Sequence, residues 1–391
     1  MTVGLRRRPA ARAAATVPTR RRRIVRHPVA ADLLAALPGW LLARALVAAG
    51  FVLAAVVSDE LRPGARPFQL TQGLLAWDGE WYRRIADLGY AGTDPEAVRF
   101  FPLFPLLGRA LAVVLPGGAE VALVVVANAA ALAAGALVHR LVLLETGDRD
   151  QAVRAAWLLA LVPPAFVLAF AYAEPLMLAL AVGAFLGLRR RRWLAAGGLG
   201  LLAALARPVG AALAVAAAVE AARGWRAAPR AERLRRVAAV LGPLAGAAAY
   251  LAWSAVADDD ALAPLRLQEG FRGELVDPVS RLVEGVRDVL GSEALGDGLH
   301  LPFAVAALGL LVVVARRWPA SYTAFAAVVV VVALSAENLN SLERYALNAF
   351  PLVLAIGSLT AGRRAEGAAL AVCGAGLAAL TTLALVGSYV P

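Results

Sequence analysis

One aspartate stands between two tryptophans in the stretch WDGEWY, residues 77–82, which lies between long apolar runs. Asp78 can serve as a general base, because a positioned carboxylate can take a proton from a hydroxyl group. An aspartate at the start of a helix can also simply cap the free N–H groups of the first turn. The sequence around this single residue leaves both interpretations open.

Three more charged side chains stand at the ends of apolar runs. Glu174 precedes Pro175, so it acts either in chemistry or only as a negative charge at a helix N-terminus. Arg207 lies between two apolar runs, where a cation requires an anionic or carbonyl partner. Arg344 is either an anion ligand or an interfacial residue paired with Glu343. Together with Asp78, these residues indicate a charged site at one membrane surface.

Two carboxylates and two arginines on one side of a membrane fit the transfer of a sugar from a lipid phosphate. A carboxylate can take the proton of the acceptor hydroxyl group as the new bond forms. Arginine can hold the leaving phosphate through its planar, bidentate set of N–H donors. Aromatic side chains near the carboxylate suit the faces of sugar rings.

The elements that must position these residues are membrane helices. Hydrophobic residues form 61% of the 391-residue chain, and apolar runs of about 20 residues, enough to cross a bilayer core of about 30 Å, recur along it. We predict an all-α polytopic membrane protein with about eleven transmembrane helices. Their predicted ranges are 38–58, 119–144, 153–172, 175–188, 193–206, 208–222, 237–257, 301–315, 318–335, 345–361 and 366–387.

The distribution of arginine predicts the orientation. With the N-terminus in the cytoplasm, the cytoplasmic segments carry most of the 39 basic residues, as the positive-inside rule requires. The pI of 10.9 therefore reflects membrane topology, and we expect no nucleic-acid partner. Residues 1–36 are predicted to be a disordered basic cytoplasmic tail, and residues 37–391 the transmembrane domain of a multi-pass protein of the cell membrane.

This topology requires that residues 100–118 do not cross the bilayer. Their prolines and Arg109 favour a re-entrant or interfacial helix. The outer segments 59–118 and 258–300 are then large enough to hold chemistry. Within the first of them, a short amphipathic helix from Gly79 is predicted to place Trp81, Ile85 and Leu88 on one face.

Several other chemistries are absent from the sequence. There is no P-loop and no G-x-S-x-G, and the three histidines, His27, His139 and His300, are too scattered for a zinc site. The acidic run 258–260 can bind a cation, but a solvated loop is the preferred interpretation. We expect neither a metal nor a cofactor.

Five motifs resemble those of bacterial PIG-V-like mannosyltransferases, relatives of the second mannosyltransferase of GPI-anchor assembly within the GT-C class. The motifs stand in the expected order and cover most of the chain. They are WDGEWYRRIADLGY (77–90), RFFPLFPLLGR (99–109), PPAFVLAFAYAEPLMLAL (163–180), ALARPVGAAL (204–213) and LERYALNAFPLVLAIG (342–357).

The resemblance implies a polyprenyl-phosphate sugar as donor, a site on the extracytoplasmic face, and juxtamembrane helices between the first two spans. It also implies a catalytic aspartate in the first outer loop, where Asp78 stands. Glu174 matches an acidic position of the second outer loop, although its AYAEP context lacks the serine or threonine that relatives commonly carry there. Arg207 falls at the outer end of a helix pair, and Arg344 falls where a phosphate ligand is expected.

We therefore predict an inverting glycosyltransferase, with mannose as the expected sugar and a lipid-linked glycan, a lipoglycan or a protein as acceptor. Asp78 is the predicted base, and Glu174 orients the acceptor or supports that base. The alternatives are a transporter or flippase of a lipid-linked anionic glycan and a non-catalytic scaffold in envelope assembly. The predicted substrate-binding residues are Trp77, Trp81, Tyr82, Tyr172, Arg207, Arg344 and Tyr345.

Overall fold

The computed structural model describes residues 28–61, 64, 66–291 and 297–389. The all-α prediction is confirmed. The regular elements of the described residues are helices, and outside the helices there is one isolated antiparallel bridge between Leu275 and Ala336. The helices are α1 (Val29–Leu61), α2 (Phe68–Gln72), α3 (Asp78–Leu88), α4 (Leu103–Ala112), α5 (Gly118–Thr146), α6 (Arg149–Leu161), α7 (Glu174–Arg189), α8 (Trp193–Ala206), α9 (Leu213–Ala222), α10 (Arg230–Ala257), α11 (Ala263–Arg272), α12 (Pro278–Leu290), α13 (Leu301–Arg317), α14 (Ala320–Leu334), α15 (Leu342–Leu347), α16 (Pro351–Leu359) and α17 (Arg363–Leu385).

Five of these helices, α1, α5, α10, α13 and α17, are long and apolar enough to cross a membrane. At about 1.5 Å per residue, a helix needs roughly 20 residues to cross the hydrocarbon core. Helices α6 to α9 and α14 are shorter, and each overlaps one of the predicted spans. The number of crossings stays a prediction.

The N-terminal boundary differs from the predicted one. Helix α1 begins at Val29 rather than after residue 36, because Asp32 in its first turn is buried and ion-paired with His139 and Arg140 of α5. Residues 1–27 of the predicted disordered tail lie outside the described residues.

Two predicted spans are interrupted. The span 153–172 is α-helical only to Leu161, because Pro163 and Pro164 lack backbone N–H donors and a 3₁₀ helix follows them. The span 345–361 is divided between α15 and α16, which begins at Pro351. These interruptions place irregular backbone inside a helical protein.

Polar side chains from two neighbouring helices form hydrogen bonds to the backbone carbonyl groups of the first interrupted segment. Arg44 of α1 donates from Nη2 to the carbonyl oxygen of Leu168 at 2.8 Å and from Nε to Asn128 Oδ1 at 2.9 Å. The Asn128 amide in turn donates to the carbonyl oxygen of Ala169 at 3.0 Å. Irregular backbone is tolerated at membrane depth where protein groups satisfy it in this way, and the segment leading to Tyr172 is thereby fixed.

The first outer segment forms short helices α2, α3 and α4. Helix α4 has ten residues, about 15 Å, which is half the length needed to cross the bilayer core. This length agrees with the prediction that residues 100–118 do not cross. Helix α3 is present, but its buried apolar side chains are Tyr82, Ile85 and Ala86, and Leu88 is 59% exposed. The predicted face was wrong at Leu88, because α3 packs on Phe100 and Phe104 through Tyr82 instead.

Helix direction separates the bundle into two ends. Helix α7 runs from Glu174 to the arginine-rich turn at residues 189–192, and α8 returns to Arg207. Glu174 and Arg207 therefore lie at one end and the arginine-rich turn at the other. The two ends are called here the site end and the arginine-rich end.

Candidate active site

Asp78 is the first residue of α3, and its carboxylate is ion-paired with Nη1 of Arg344 on α15. Its backbone N–H points to the hydroxyl oxygen of Tyr172 at 3.4 Å. Trp77, not Asp78, occupies the N-cap position of α3. Asp78 is thus held by residues that are far away in the sequence, and it does not cap the helix.

The backbone just before Asp78 is strained. Trp77 has φ 61° and ψ −118°, in a region that L-residues rarely adopt. Such conformations typically cost about 1–3 kcal/mol and persist where surrounding contacts fix them. The indole Nε1 of Trp77 donates to the carbonyl oxygen of Ala384 on α17 at 3.0 Å, which anchors this turn.

Glu174 joins the two predicted arginines. Its side chain is 0% exposed, and its Oε1 lies 2.5 Å from Nη1 of Arg207 and 3.3 Å from Nη1 of Arg344. The four predicted charges therefore alternate in sign in one series, Asp78, Arg344, Glu174 and Arg207, named here the charge chain. Because Glu174 is fully buried between two guanidinium groups, its position favours holding the arginines over touching an acceptor.

Two tyrosine rings flank the arginines of the charge chain. The Arg344 Cζ atom lies 5.4 Å from the ring centroids of both Tyr172 and Tyr345, and the Arg207 Cζ atom lies 5.4 Å from that of Tyr345. The negative faces of aromatic rings attract guanidinium groups at such distances. Tyr172 is fully buried, so its ring orients Arg344 and offers no surface to a ligand.

The charge chain borders a cavity of about 340 Å³. Of the predicted residues, Asp78, Tyr82, Arg207, Arg344 and Tyr345 line it. Aromatic and aliphatic side chains form the rest of the wall, together with polar residues of α11. The cavity therefore combines two carboxylates, those of Asp78 and Glu269, with four arginines and an apolar surface.

Two further arginines line this cavity, and the sequence analysis missed both. Arg272 of α11 lies with its Cζ 4.3 Å from the ring centroid of Tyr345, and Arg99 lies 3.6 Å from that of Phe271. Arg99 opens the RFFPLFPLLGR motif, so that motif was a signal for it. Arg272 had no signal beyond its place in the second outer segment.

Trp77 and Trp81 lie on the opposite face of α3. They line a second, more open cavity of about 570 Å³, the outer groove, with Gln69, Gln72 and Glu80. Trp81 also stacks on Phe100 with ring centroids 5.7 Å apart. Helix α3 thus separates two cavities, and of the three predicted aromatic residues around Asp78 only Tyr82 faces the one that Asp78 lines.

The electrostatic environment keeps Asp78 ionised. Burial acts to raise the pKa of this carboxyl group, but the charges of Arg344 and Arg99, the hydrogen bond from Arg344 and the charge of Arg207 outweigh it. The pKa of Asp78 therefore lies below its usual value. A carboxylate in this state can accept a proton once the arginine is drawn away from it.

The acidic run 258–260 is engaged within its own loop. Asp260 is ion-paired with Arg266, and the Ser254 hydroxyl donates to Asp258 at 3.3 Å. Among the described residues, no group of three or more histidine, cysteine, aspartate or glutamate side chains is placed to hold a metal ion.

Comparisons with known proteins give one weak match. No family model and no curated protein matches the chain. Among solved structures, it is similar to the crystal structure of the Archaeoglobus fulgidus oligosaccharyltransferase tethered to an acceptor peptide, with a TM-score of 0.44 and 14% identity. The match covers 88% of this chain but only 55% of that protein. At this TM-score it establishes neither a shared fold nor a shared activity.

Proposed function

We propose that this protein is a GT-C-class glycosyltransferase that moves one sugar, with mannose as the expected one, from a polyprenyl-phosphate donor to an acceptor hydroxyl group with inversion. The observation that carries the proposal is the cavity that joins the Asp78 carboxylate to four arginine side chains, Arg99, Arg207, Arg272 and Arg344. The resemblance of five motifs to those of PIG-V-like mannosyltransferases supports the choice of class and sugar.

The donor phosphate binds among the arginines, and the apolar wall receives the start of its polyprenyl chain. Guanidinium groups suit a phosphate because they donate in pairs to its oxygens. The donor is a phosphate diester, and the leaving polyprenyl phosphate is a phosphate monoester. The four arginines can balance the negative charge of either one, so the chain's own residues supply the electrostatic stabilisation. The wall residues closest to this role are Phe100, Phe101 and Leu265.

The reaction is a single displacement at the anomeric carbon. The acceptor oxygen forms a bond to this carbon while the bond from carbon to phosphate oxygen breaks, and the electron pair leaves with the polyprenyl phosphate. Asp78 takes the acceptor proton. Because attack and departure occur on opposite faces of the sugar, the configuration inverts.

Binding of the donor also activates Asp78. In the charge chain, Arg344 is shared between Asp78 and Glu174. A donor phosphate competes with Asp78 for the same guanidinium N–H groups, which weakens the ion pair and raises the basicity of the carboxylate. The base is therefore released when the donor is in place.

The acceptor approaches from the outer groove. Trp77 and Trp81 offer aromatic faces there, and Gln69, Gln72 and Glu80 offer polar groups that suit a glycan. Asp78, which lines the inner cavity, directly follows Trp77, which lines the outer groove. A lipid-linked glycan, a lipoglycan and a glycosylated protein all satisfy this chemistry.

The orientation follows from the separation of the two ends. The site end lies opposite the arginine-rich turn at residues 189–192. The positive-inside rule assigns arginine-rich turns to the cytoplasm, which supports a site on the extracytoplasmic face of the cell membrane.

Replacing Asp78 by asparagine tests the proposed function. The amide has the same shape but cannot take a proton, so sugar transfer in membranes supplied with polyprenyl-phosphate mannose should fall by at least about 10²-fold. Transfer is measured as labelled sugar incorporated into the acceptor fraction. Asp94→Asn is the matched control, because this aspartate is 56% exposed and pairs with Arg84.

Full activity in Asp78→Asn, at equal expression, would exclude Asp78 as the base. A transporter or a scaffold is distinguished by the purified wild-type protein, which in either case would transfer no sugar from the donor to an acceptor.

A further inference from the structure

A second buried cluster lies directly beside the charge chain. Glu343 precedes Arg344 in α15, and its two carboxylate oxygens lie 3.0 and 2.8 Å from Nδ1 of His300. The Tyr389 hydroxyl donates to the same carboxylate. We call Glu343, His300 and Tyr389 the carboxylate clamp. None of these three residues takes part in the proposed reaction.

The clamp is closed to solvent and joins distant parts of the chain. Glu343 is 1% exposed, and His300 and Tyr389 are each 3% exposed. His300 ends the second outer segment, Glu343 lies in α15, and Tyr389 follows α17. The His300 and Tyr389 rings also contact each other, with centroids 5.3 Å apart.

Glu343 does not pair with Arg344, which was one interpretation of the sequence. Consecutive residues of a helix point about 100° apart, so neighbouring side chains do not face each other. Arg344 therefore points to Asp78 and Glu174, while Glu343 points to His300 and Tyr389. The direction of one side chain fixes the direction of the other.

Helix α15 cannot fix that direction by itself. It has only six residues and follows Ser341, whose φ is 64°. A helix this short is not stable on its own, because nucleation costs more than so few hydrogen bonds return. The rotation of α15 about its axis is consequently set by the contacts of its side chains, and the clamp supplies those on the side away from the cavity.

We infer that the carboxylate clamp is a positioning device for Arg344, and through it determines the affinity for the donor phosphate. This inference rests on the proposed function, in which Arg344 holds that phosphate. Loosening the clamp lets α15 rotate, which moves the guanidinium group away from the cavity. The affinity for the donor then decreases, whereas the affinity for the acceptor does not, because the acceptor approaches from the other face of α3.

Tyr389→Phe tests the clamp, because it removes one hydroxyl group and keeps the ring. Hydrogen bonds to a buried carboxylate are strong, so the donor KM should rise about tenfold. The acceptor KM should stay within about twofold, because the acceptor approaches from the other face of α3, whereas kcat should also fall, because Arg344 stabilises the leaving phosphate. A variant that is merely less well folded lowers kcat in proportion to the active fraction and leaves both KM values unchanged.

Tyr322→Phe is the matched control. Tyr322 is also a buried tyrosine that donates to a glutamate, the partly buried Glu145, at 3.1 Å, but it lies at the arginine-rich end. It should leave the donor KM unchanged. Rescue gives a second readout: His300→Gln, whose amide can still donate to Glu343, should recover most of the donor affinity that His300→Ala loses.

Equilibrium binding of polyprenyl phosphate to the purified protein separates this inference from the proposed function. Wild-type protein that binds this lipid but transfers no sugar would overturn the proposed reaction. The role of the clamp would then be tested by comparing the dissociation constants of Tyr389→Phe and wild type for the lipid. An unchanged donor KM and dissociation constant in Tyr389→Phe would overturn the clamp while transfer stands. Wild-type protein that neither binds nor transfers would overturn both.

Discussion

The two ends of the helix bundle each contain a buried network of ion pairs, and the networks differ in how they are balanced. At the arginine-rich end, Arg189 pairs with Glu145 at 2.5 Å and with Glu220 at 3.1 Å. Two neighbouring hydroxyl groups, those of Ser321 and Tyr322, donate to the same carboxylates at 2.6 and 3.1 Å. This network ties α5, α7, α9 and α14 together. With Arg223, which lies 3.3 Å from Glu220, it contains two carboxylates and two arginines, so its charges balance.

At the site end, cations exceed carboxylates. Asp78 and Glu174 balance Arg207 and Arg344, and the cavity wall adds two arginines, Arg99 and Arg272, but only one carboxylate, Glu269. In the part of the chain that the structure describes, these two arginines make contacts with aromatic rings and a carbonyl group, not ion pairs with carboxylates. A balanced network without a cavity stabilises a fold, whereas surplus cations around a cavity prepare a site for an anion.

The largest expected effect comes from removing the central arginine at either end. Arg344→Ala should raise the donor KM by about 10²-fold or more, because it removes a bidentate phosphate ligand and leaves Asp78 and Glu174 without their shared cation. The acceptor KM should change far less. Arg189→Ala should instead lower the stability in detergent by about 3 kcal/mol, since Glu145 and Glu220 lose the arginine that they share. Steady-state kinetics and thermal unfolding distinguish the two outcomes. Similar kinetic effects from both substitutions would remove the distinction between the two ends.

A smaller effect is expected from the surplus cations. Arg272→Gln should raise the donor KM by about tenfold, because one charge-assisted hydrogen bond to the phosphate is lost while the charge chain remains intact. Its stability should be unchanged or slightly increased, as one buried cation is removed. Titration of the purified variant with polyprenyl phosphate measures this change. An unchanged dissociation constant would assign Arg272 to packing against Tyr345 alone.

The smallest expected effect concerns pH. Because the charge of Arg344 helps to lower the pKa of Asp78, the carboxylate stays ionised as the pH falls, and kcat/KM should decline only below the ordinary pKa of an aspartate. In Arg344→Gln this cause is removed, so the acid limb of the profile should move to higher pH. The residual activity of that variant is measured from pH 3.5 to 7 with labelled donor. A limb at the same pH in both proteins would mean that a group other than Asp78 sets it.

The sequence predicted the four members of the charge chain because each stands at the end of an apolar run, where charge is unusual. Which of these ends meet is a long-range property: Asp78 and Arg344 are 266 residues apart. The resemblance to a known family placed them on one side of the membrane, and the helix directions in the structure agree with this. Their pairwise order, with Glu174 between the two arginines, required the structure.

Other features could not be predicted from short sequence motifs. Whether Trp81 faces the cavity or the outer groove depends on the rotation of α3, which is set by Tyr82 packing on Phe100 and Phe104. The break at Pro163 was visible as two consecutive prolines, but the apolar composition favoured a continuous span. Arg272 and Glu343 lie in segments where polar residues are common, so their burial was not predictable.

The hydrogen bond from Trp77 to Ala384 has a consequence for biosynthesis. It joins residues 307 positions apart, so the turn that orients Asp78 is completed only after the ribosome has made α17 and that helix has entered the membrane. Until then the turn before Asp78 lacks this anchor, although Arg344 and Tyr172, the two other groups that contact Asp78, have already been made. A chain that terminates before Ala384 should therefore insert into the membrane and remain catalytically silent, even though every proposed ligand of the donor is present.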